Sequence, residues 1–409
     1  MTRPRGTIRK RGSKFAVVID RGVDRATGKR RRQWHSGYET HKEAEKARVK
    51  LLRDLDGGCY VDRSRLTVAE YLRDEWLPSR KPKSAQSGRG HRGQVSMTTW
   101  MGYRDLCNAH IIPRIGHLRL QALTRDDVDR LYDELEERGG RRKQGLAPSS
   151  VANIHGVVHK ALADAVKREL VHRNVADAVD APSPVKGEQR VWTIEELRAF
   201  LAHVRDDSLY AAWLLFATTG MRRGEVAGLA RADLDLDVGR LRIDWTLGVI
   251  NGKPSWKPRA KSRAGERTMS LDPATIDALR QHLAEQARQR LLIGPKWEQR
   301  QHDWQGLHRE DLVFTRPDGG LINPERVTDW FEAHCRRGGL RRIRLHDVRH
   351  TYATTGLANA TGWHEVKVIS QRLGHTSVGF TIDTYAHVLP AADEQVAHTL
   401  ARLILGEAS

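Results

Sequence analysis

The stretch A-P-S-P-V-K-G-E-Q at residues 181–189 breaks every periodic pattern on either side of it. Its two prolines cannot continue a helix or donate to a sheet ladder, and a glycine and polar residues follow, so the segment reads as a linker. It divides a chain of 409 residues, too long for one ordinary core, into parts that must fold separately.

Upstream of the break, residues 6–38 pattern as a small sheet. K-F-A-V-V-I-D (14–20) is rich in β-branched residues, a turn-like G-V-D-R-A-T-G follows, and R-R-Q-W-H-S-G-Y (31–38) returns. Thr40 and Glu43 form a capping box that opens a helix with Ala44, Ala47, Leu51 and Leu55 on its apolar face, ended by Gly57-Gly58. A second capping box, Thr67 and Glu70, starts a helix with Val68, Leu72 and Trp76 at helical spacing. Helical patterns resume at 100–111, 124–135 and 150–170, after a loop at 79–96 rich in glycine, serine and basic residues. Downstream, Trp192, Thr193 and Glu196 read as staple, N-cap and capping-box partner of a mainly helical part, with strands expected within 239–271. The expected architecture is multidomain. A small N-terminal α+β unit, a three-stranded sheet plus a helix, spans 1–57. An all-α bundle spans 65–181, a linker 182–189, and a mainly α domain with a small β-sheet 190–409.

Charge bounds the partner. Seventy Lys and Arg against 51 Asp and Glu give +19 and a pI near 10.1. Residues 1–33 carry ten of those nineteen charges. Such an excess implies a polyanion, because neutralising phosphates releases counterions. Arg9, Lys10, Arg11, Arg30, Arg31 and Arg32 lie on the predicted strands and are the candidate DNA contacts. Cys59, Cys107 and Cys335 are isolated and lack metal-ligand spacing, which suggests a reducing compartment. No stretch is apolar enough to cross a bilayer and the N-terminus lacks a signal-peptide core, so a cytoplasmic protein is expected.

The chemistry gathers near the C-terminus, in L-H-D-V-R-H (His346, Arg349), R-L-G-H (His375) and T-I-D-T-Y-A-H (Tyr385), with Arg222 far upstream in T-T-G-M-R-R-G-E. His346 and Arg349 share a helix face, and His375 follows the helix end that Gly374 marks. Anionic oxygens repel any nucleophile that approaches a phosphodiester. Arginine answers this with a permanent charge and a planar fork that fits phosphate. A tyrosine can then attack phosphorus and hold the ester as a covalent link, while histidine or lysine moves protons. No metal or nucleotide motif accompanies the set, and no cofactor is expected.

These stretches, with A-T-T-G-M-R-R-G-E-V-A-G-L and A-K-S-R-A-G-E-R-T-M-S-L, make the third part similar to the catalytic domain of the tyrosine recombinases of the phage-integrase type. The resemblance covers most of residues 188–390. It implies that Arg222 and Arg349 hold the scissile phosphate and that Lys261, on a hairpin, protonates the leaving 5′-oxygen. It further implies that His346 assists proton transfer from the nucleophile, His375 hydrogen-bonds the phosphate, Tyr385 attacks, and Glu225 orients the site from behind. Lys253, Lys257 and Arg263 lie close to Lys261 and are the alternatives for that role. More loosely, residues 65–181 resemble a core-binding domain and 1–57 an arm-binding domain. The implied partners are double-stranded DNA at core and arm attachment sites, three further protomers in a homotetramer, a directionality factor and a host DNA-bending protein. The apolar stripe at 391–405 would dock on its own domain or on a neighbour. A type IB topoisomerase-like enzyme and a non-catalytic DNA-binding regulator are the competing readings.

Overall fold

The computed structural model describes residues 6–23, 28, 30–56, 61–82, 95–140, 144–182, 190–258, 266–303, 306–375 and 377–385. The chain separates into two compact units, Met1–Lys186 and Gly187–Ser409.

The first unit begins with an antiparallel meander, β1 (Gly6–Arg11), β2 (Lys14–Val23) and β3 (Arg30–Tyr38), in the order β1-β2-β3. Gly12, at φ 64°, supplies the left-handed residue of the tight β1–β2 turn. Helix α1 (His41–Asp56) is capped by Thr40, whose hydroxyl accepts from the Glu43 amide at 3.2 Å. It covers one sheet face over a small core of Val17, Ile19 and Ala44.

The same unit holds a helical bundle. Helix α2 (Val68–Glu70) runs through a π-helical stretch into α3 (Leu77–Arg80), and α4 (Met97–Leu106) likewise into α5 (Ile112–Ile115). Helices α6 (Arg125–Arg138) and α7 (Pro148–Lys167) complete it. Their apolar faces meet in one core that includes Trp76, Ile111, Leu131, Leu135 and Ile154. Two buried polar groups are paired across the bundle. The Tyr71 hydroxyl donates to the Ala161 carbonyl at 2.8 Å, and the Trp76 indole donates to Asp164 at 2.9 Å. Cys107 here and Cys335 in the second unit are buried and unpaired, while Cys59 lies outside the described residues.

The second unit is mainly helical. Thr193 caps α8 (Ile194–His203) with a complete capping box to Glu196. Helix α9 (Tyr210–Thr219) is apolar all round and runs through the core, so burial rather than an amphipathic stripe holds it. Short α10 (Arg223–Ala227) follows. The β-structure comprises β4 (Leu234–Asp235), β5 (Arg240–Ile243) and β8 (Arg267–Ser270) in one antiparallel sheet, with the hairpin β6 (Trp245–Ile250) and β7 (Lys253–Pro258) between β5 and β8 in sequence. Helix α11 (Pro273–Ile293) precedes a small pair that the sequence patterns do not signal, β9 (Arg300–His302) and β10 (His308–Glu310). Helices α12 (Pro324–Arg337), α13 (Leu345–Ala358), α14 (Trp363–Leu373) and α15 (Val378–Tyr385) finish the described chain. Among the described residues no helix is long and apolar enough to cross a membrane. The stripe at 391–405 lies outside them.

Candidate active site

Two left-handed glycines set the site's frame. Gly220 ends α9 at φ 64°, and a Cβ there would meet Tyr352 at 2.6 Å, so no other residue fits without displacement. Gly374 ends α14 at φ 65° and turns the chain so that the His375 amide donates back to the Ser370 carbonyl at 3.2 Å. The last turn of any helix leaves carbonyls without partners. Here three consecutive carbonyls at the C-terminal end of α14, the last from its cap Gly374, accept from three arginines in three separate segments. Arg267 of β8 donates from Nε to the Arg372 carbonyl at 2.7 Å. Arg349 of α13 donates to the Leu373 carbonyl, and Arg222, just before α10, donates to Gly374 at 3.3 Å. A second nitrogen of Arg349 donates to the Gly220 carbonyl at 2.8 Å. Arginines drawn from residues 222, 267 and 349 thus converge on one helix end.

Glu225 lies beneath them, 4% exposed. Its carboxylate accepts two bonds from Arg267, at 3.0 and 2.8 Å, one from the Arg222 side chain at 3.0 Å and one from the Arg222 amide at 2.8 Å. Burial pushes this carboxyl up, but the Arg267 hydrogen bonds, its charge and that of Arg222 outweigh burial and hold the group ionised, below the usual carboxylate range. Arg349 is 4% exposed. Burial, then the neighbouring charge of Arg222, pushes it down to about 9. An anion at this face would offset the repulsion between the two guanidinium groups.

Three histidines surround the arginines. His346 and His350 sit one turn apart on α13, their rings 5.0 Å apart and edge to face. His375 lies 2.7 Å through Nδ1 from the Thr381 hydroxyl, which is in turn 2.8 Å from Ser370 Oγ. Thr381 and Ser370 are buried, so this chain fixes the ring's orientation. His375 is pushed down to about 4 by burial and then by Arg349 and Arg222. His346 is also pushed down to about 4, by lost hydration on its protein side and then by His350 and Arg349, although its outer side keeps contact with solvent that weakens the push. Both rings are therefore neutral at pH 7 without DNA. Their NMR signals are expected not to titrate between about pH 6 and 8, against an ordinary histidine value of about 6.5. Held neutral, they take up fewer protons folded than unfolded, so their contribution to stability falls as pH drops from about 6.5 toward the lowered values of about 4. A titration midpoint near 6.5 for the His375 ring would contradict this packing.

Tyr385 ends α15 and is 1% exposed, packed among Ala353, Leu357, Val366 and Leu373. Its hydroxyl lies 2.7 Å from His350 Nδ1. Burial raises the phenol to about 12, and the Arg349 charge works against that rise. The structure thus brings Arg222, Glu225, His346, Arg349, His375 and Tyr385 to one place. Lys261 and its neighbour Arg263 lie outside the described residues, while Lys253 and Lys257 stand on β7. The resemblance implies that His346 assists proton transfer from the nucleophile; the described hydrogen bond of the Tyr385 hydroxyl goes to His350. The sequence reading missed Arg267. His350 had a local signal, four residues after His346 on the same helix face; Arg267 had none, its partners lying far off in sequence.

The basic sheet of the first unit sorts its candidates by strand alternation. Arg9 and Arg11 point away from α1 and lie over the Trp34 ring of β3, at 5.8 and 5.4 Å from its centroid. Arg32 shares that open face. Lys10 points to the opposite side, Arg30 pairs with Asp20 at 3.6 Å, and the Arg31 side chain lies outside the described residues. Trp34, 45% exposed, joins the open face although charge reasoning passes over it.

A phenol beside one of three converging guanidinium groups is equipment for exchanging one phosphoester bond for another, the chemistry of a phosphoryl-transfer enzyme. Comparison with known proteins narrows it. Residues 190–392 match the phage integrase family, residues 7–53 an arm DNA-binding domain, and residues 89–135 the phage integrase N-terminal SAM-like domain. The chain belongs to the phage integrase family of tyrosine recombinases, enzymes that cleave and rejoin DNA. It is 23% identical over 415 residues to a tyrosine recombinase XerC-like protein of Caldanaerobacter subterraneus, covering 96% of each chain. It is 24% identical to the ICEBs1 integrase of Bacillus subtilis, over 95% of this chain and 97% of that one. Among solved structures, the Tn1549 transposon integrase in complex with a circular intermediate DNA superposes with a TM-score of 0.64 at 18% identity, covering 82% of this chain and 100% of that one. A lambda integrase tetramer bound to a Holliday junction gives 0.51 at 14% identity, covering 91% and 94%.

Proposed function

We propose that Arg222 and Arg349 grip the scissile phosphate of a mobile element's attachment site and that Tyr385 attacks it. The observation that carries this is the convergence of both guanidinium groups on the end of α14, with the Tyr385 hydroxyl close enough to feel the Arg349 charge. The arginines offset the charge that builds on the phosphoryl oxygens in the transition state. His375 donates to the phosphate once the anion's charge offsets Arg349 and Arg222 and the ring takes a proton from solvent, His346 assists proton transfer at the rim, and Lys261 supplies the proton to the departing 5′-oxygen. The product is a 3′-phosphotyrosyl link that conserves the ester's energy, so the 5′-hydroxyl of a second duplex can reverse the step. Repeated on both strands through a four-way junction, this integrates or excises the element. The related lambda integrase forms a tetramer on a Holliday junction, which supports a homotetramer here. A directionality factor and a host bending protein fit the same reading.

Residues 1–57 act as the arm-binding module, 65–181 as the core-binding module and 190–409 as the catalytic domain, joined by the linker at 182–189. Arg9 and Arg11 then meet arm-site phosphates. Replacing both with alanine is expected to weaken arm-site binding and to lower the slope of log K against log salt by about 2, since each phosphate contact contributes about 0.9. An unchanged slope would remove both residues from the interface. The function itself is tested by offering the protein two duplexes that carry the element's own attachment segments, beside a supercoiled plasmid without them. A recombinase joins the two duplexes and leaves the plasmid supercoiled. Relaxation of the plasmid without joining would establish the topoisomerase-like alternative.

A further inference from the structure

We infer that His350 is a catalytic residue: it takes the phenolic proton of Tyr385 during cleavage and returns it during rejoining. This rests on Tyr385 being the nucleophile. The hydroxyl of Tyr385 lies 2.7 Å from His350 Nδ1, within reach for direct transfer. The geometry is closely held, because the tyrosine ring is 1% exposed and packed by Ala353, Leu357 and Leu373, and because His350 is fixed on α13 directly after Arg349. Residues 346, 349 and 350 follow i, i+3, i+4 spacing, so one helix face presents a rim histidine, the phosphate-gripping arginine and the tyrosine's partner together.

In the forward step the Tyr385 Oη–phosphorus bond forms as the phosphorus–O5′ bond breaks. The phenolic proton passes to Nδ1, leaving an imidazolium, and the 5′-oxygen takes its proton from a separate acid. Rejoining runs the same transfers backwards. The groups that face His350 set its proton affinity. On its own helix these are Arg344, His346, Asp347 and Arg349; Tyr385 reaches it from α15, and His375 from the turn after α14. Burial lowers the ring, Asp347 opposes this, and Arg344 and Arg349 lower it further, which favours the neutral ring; in the tautomer with its proton on Nε2, Nδ1 accepts from the Tyr385 hydroxyl. A DNA phosphate on Arg349 cancels part of that cationic field. The base therefore strengthens only when substrate is seated, which links activation of the nucleophile to DNA binding.

The test uses the full chain and nicked suicide duplexes, with covalent adduct formation read against time. His350→Ala is expected to slow adduct formation by about a hundredfold or more, the usual worth of a general base. His350→Gln still accepts a hydrogen bond from the hydroxyl but cannot carry the proton, and is expected to be as slow as the alanine variant. Substituting sulfur for the bridging 5′-oxygen makes the leaving group independent of an acid. That substrate is expected to leave the His350 deficit in place. Wild-type rates in either variant, recovery in His350→Gln, or recovery on the sulfur substrate would each overturn the assignment. Tyr385→Phe runs alongside: adduct formation there would sink the nucleophile assignment itself, whereas its absence with fast His350 variants would sink this inference alone.

Discussion

Tyr385→Phe is expected to bind DNA normally and to form no covalent adduct, a loss of about a thousandfold or more, as when a covalent nucleophile is deleted. The change removes one oxygen. The ring that fills the pocket among Ala353, Leu357, Val366 and Leu373 stays. The lost hydrogen bond to His350 is worth about 0.5–1.5 kcal/mol, which moves the thermal midpoint of a unit this size by only a few degrees. The arginines that would hold the phosphate do not depend on the hydroxyl; their bonds run to Gly220, Glu225, Leu373 and Gly374. Binding and chemistry therefore separate cleanly in this variant. A gel under denaturing conditions, with labelled nicked duplex, reads the outcome. A retained adduct would mean that another side chain attacks, and the site would have to be rebuilt around it.

The second large effect is expected at Glu225. Its neighbour Arg267 has a side chain only 7% exposed. Glu225→Ala leaves that guanidinium buried without its counter-charge, which costs roughly 3–5 kcal/mol. The thermal midpoint of the catalytic unit should fall by roughly 10 °C, at about 2–4 °C per kcal/mol. Cleavage should fall as well, because Arg222 loses both of its contacts to the carboxylate. The double variant Glu225→Leu with Arg267→Leu separates the two effects. Apolar replacement of both partners is expected to restore much of the stability, since a buried ion pair contributes little net, but not the cleavage rate. Full recovery of cleavage in the double variant would show that the pair is structural only. The pH dependence has a definite sign. The Glu225 carboxyl is depressed in the folded protein, so its contribution is complete above the ordinary carboxylate value of about 4.3 and disappears as pH falls through the lowered value.

Much of this fold could be read from local residues, because the signals involved are local. Thr40, Thr67 and Thr193 each open a helix where the capping pattern places it, and Gly374 ends α14 where a left-handed residue is needed. The small N-terminal sheet follows from the β-branched run at 14–20, the turn-like segment after it and the return at 31–38. Strand alternation held a further reading: side chains of successive strand residues point to opposite faces, so Lys10 had to part company with Arg9 and Arg11. What stayed hidden depends on contacts between distant segments. Arg267 meets Glu225 across 42 positions of chain, and no spacing rule signals that pairing. The Tyr385 partner depends on how α15 settles against α13, which decides between two histidines one turn apart. The β9–β10 pair is three residues a strand, too short to carry a period.

The end of α14 has one further consequence. Its three carbonyls act as a jig that positions guanidinium groups in the free protein; under the proposed role of Arg222 and Arg349, that grip would be stiff before a strand arrives. Disturbing the jig at any one arm, even one that never meets DNA, should loosen the other two.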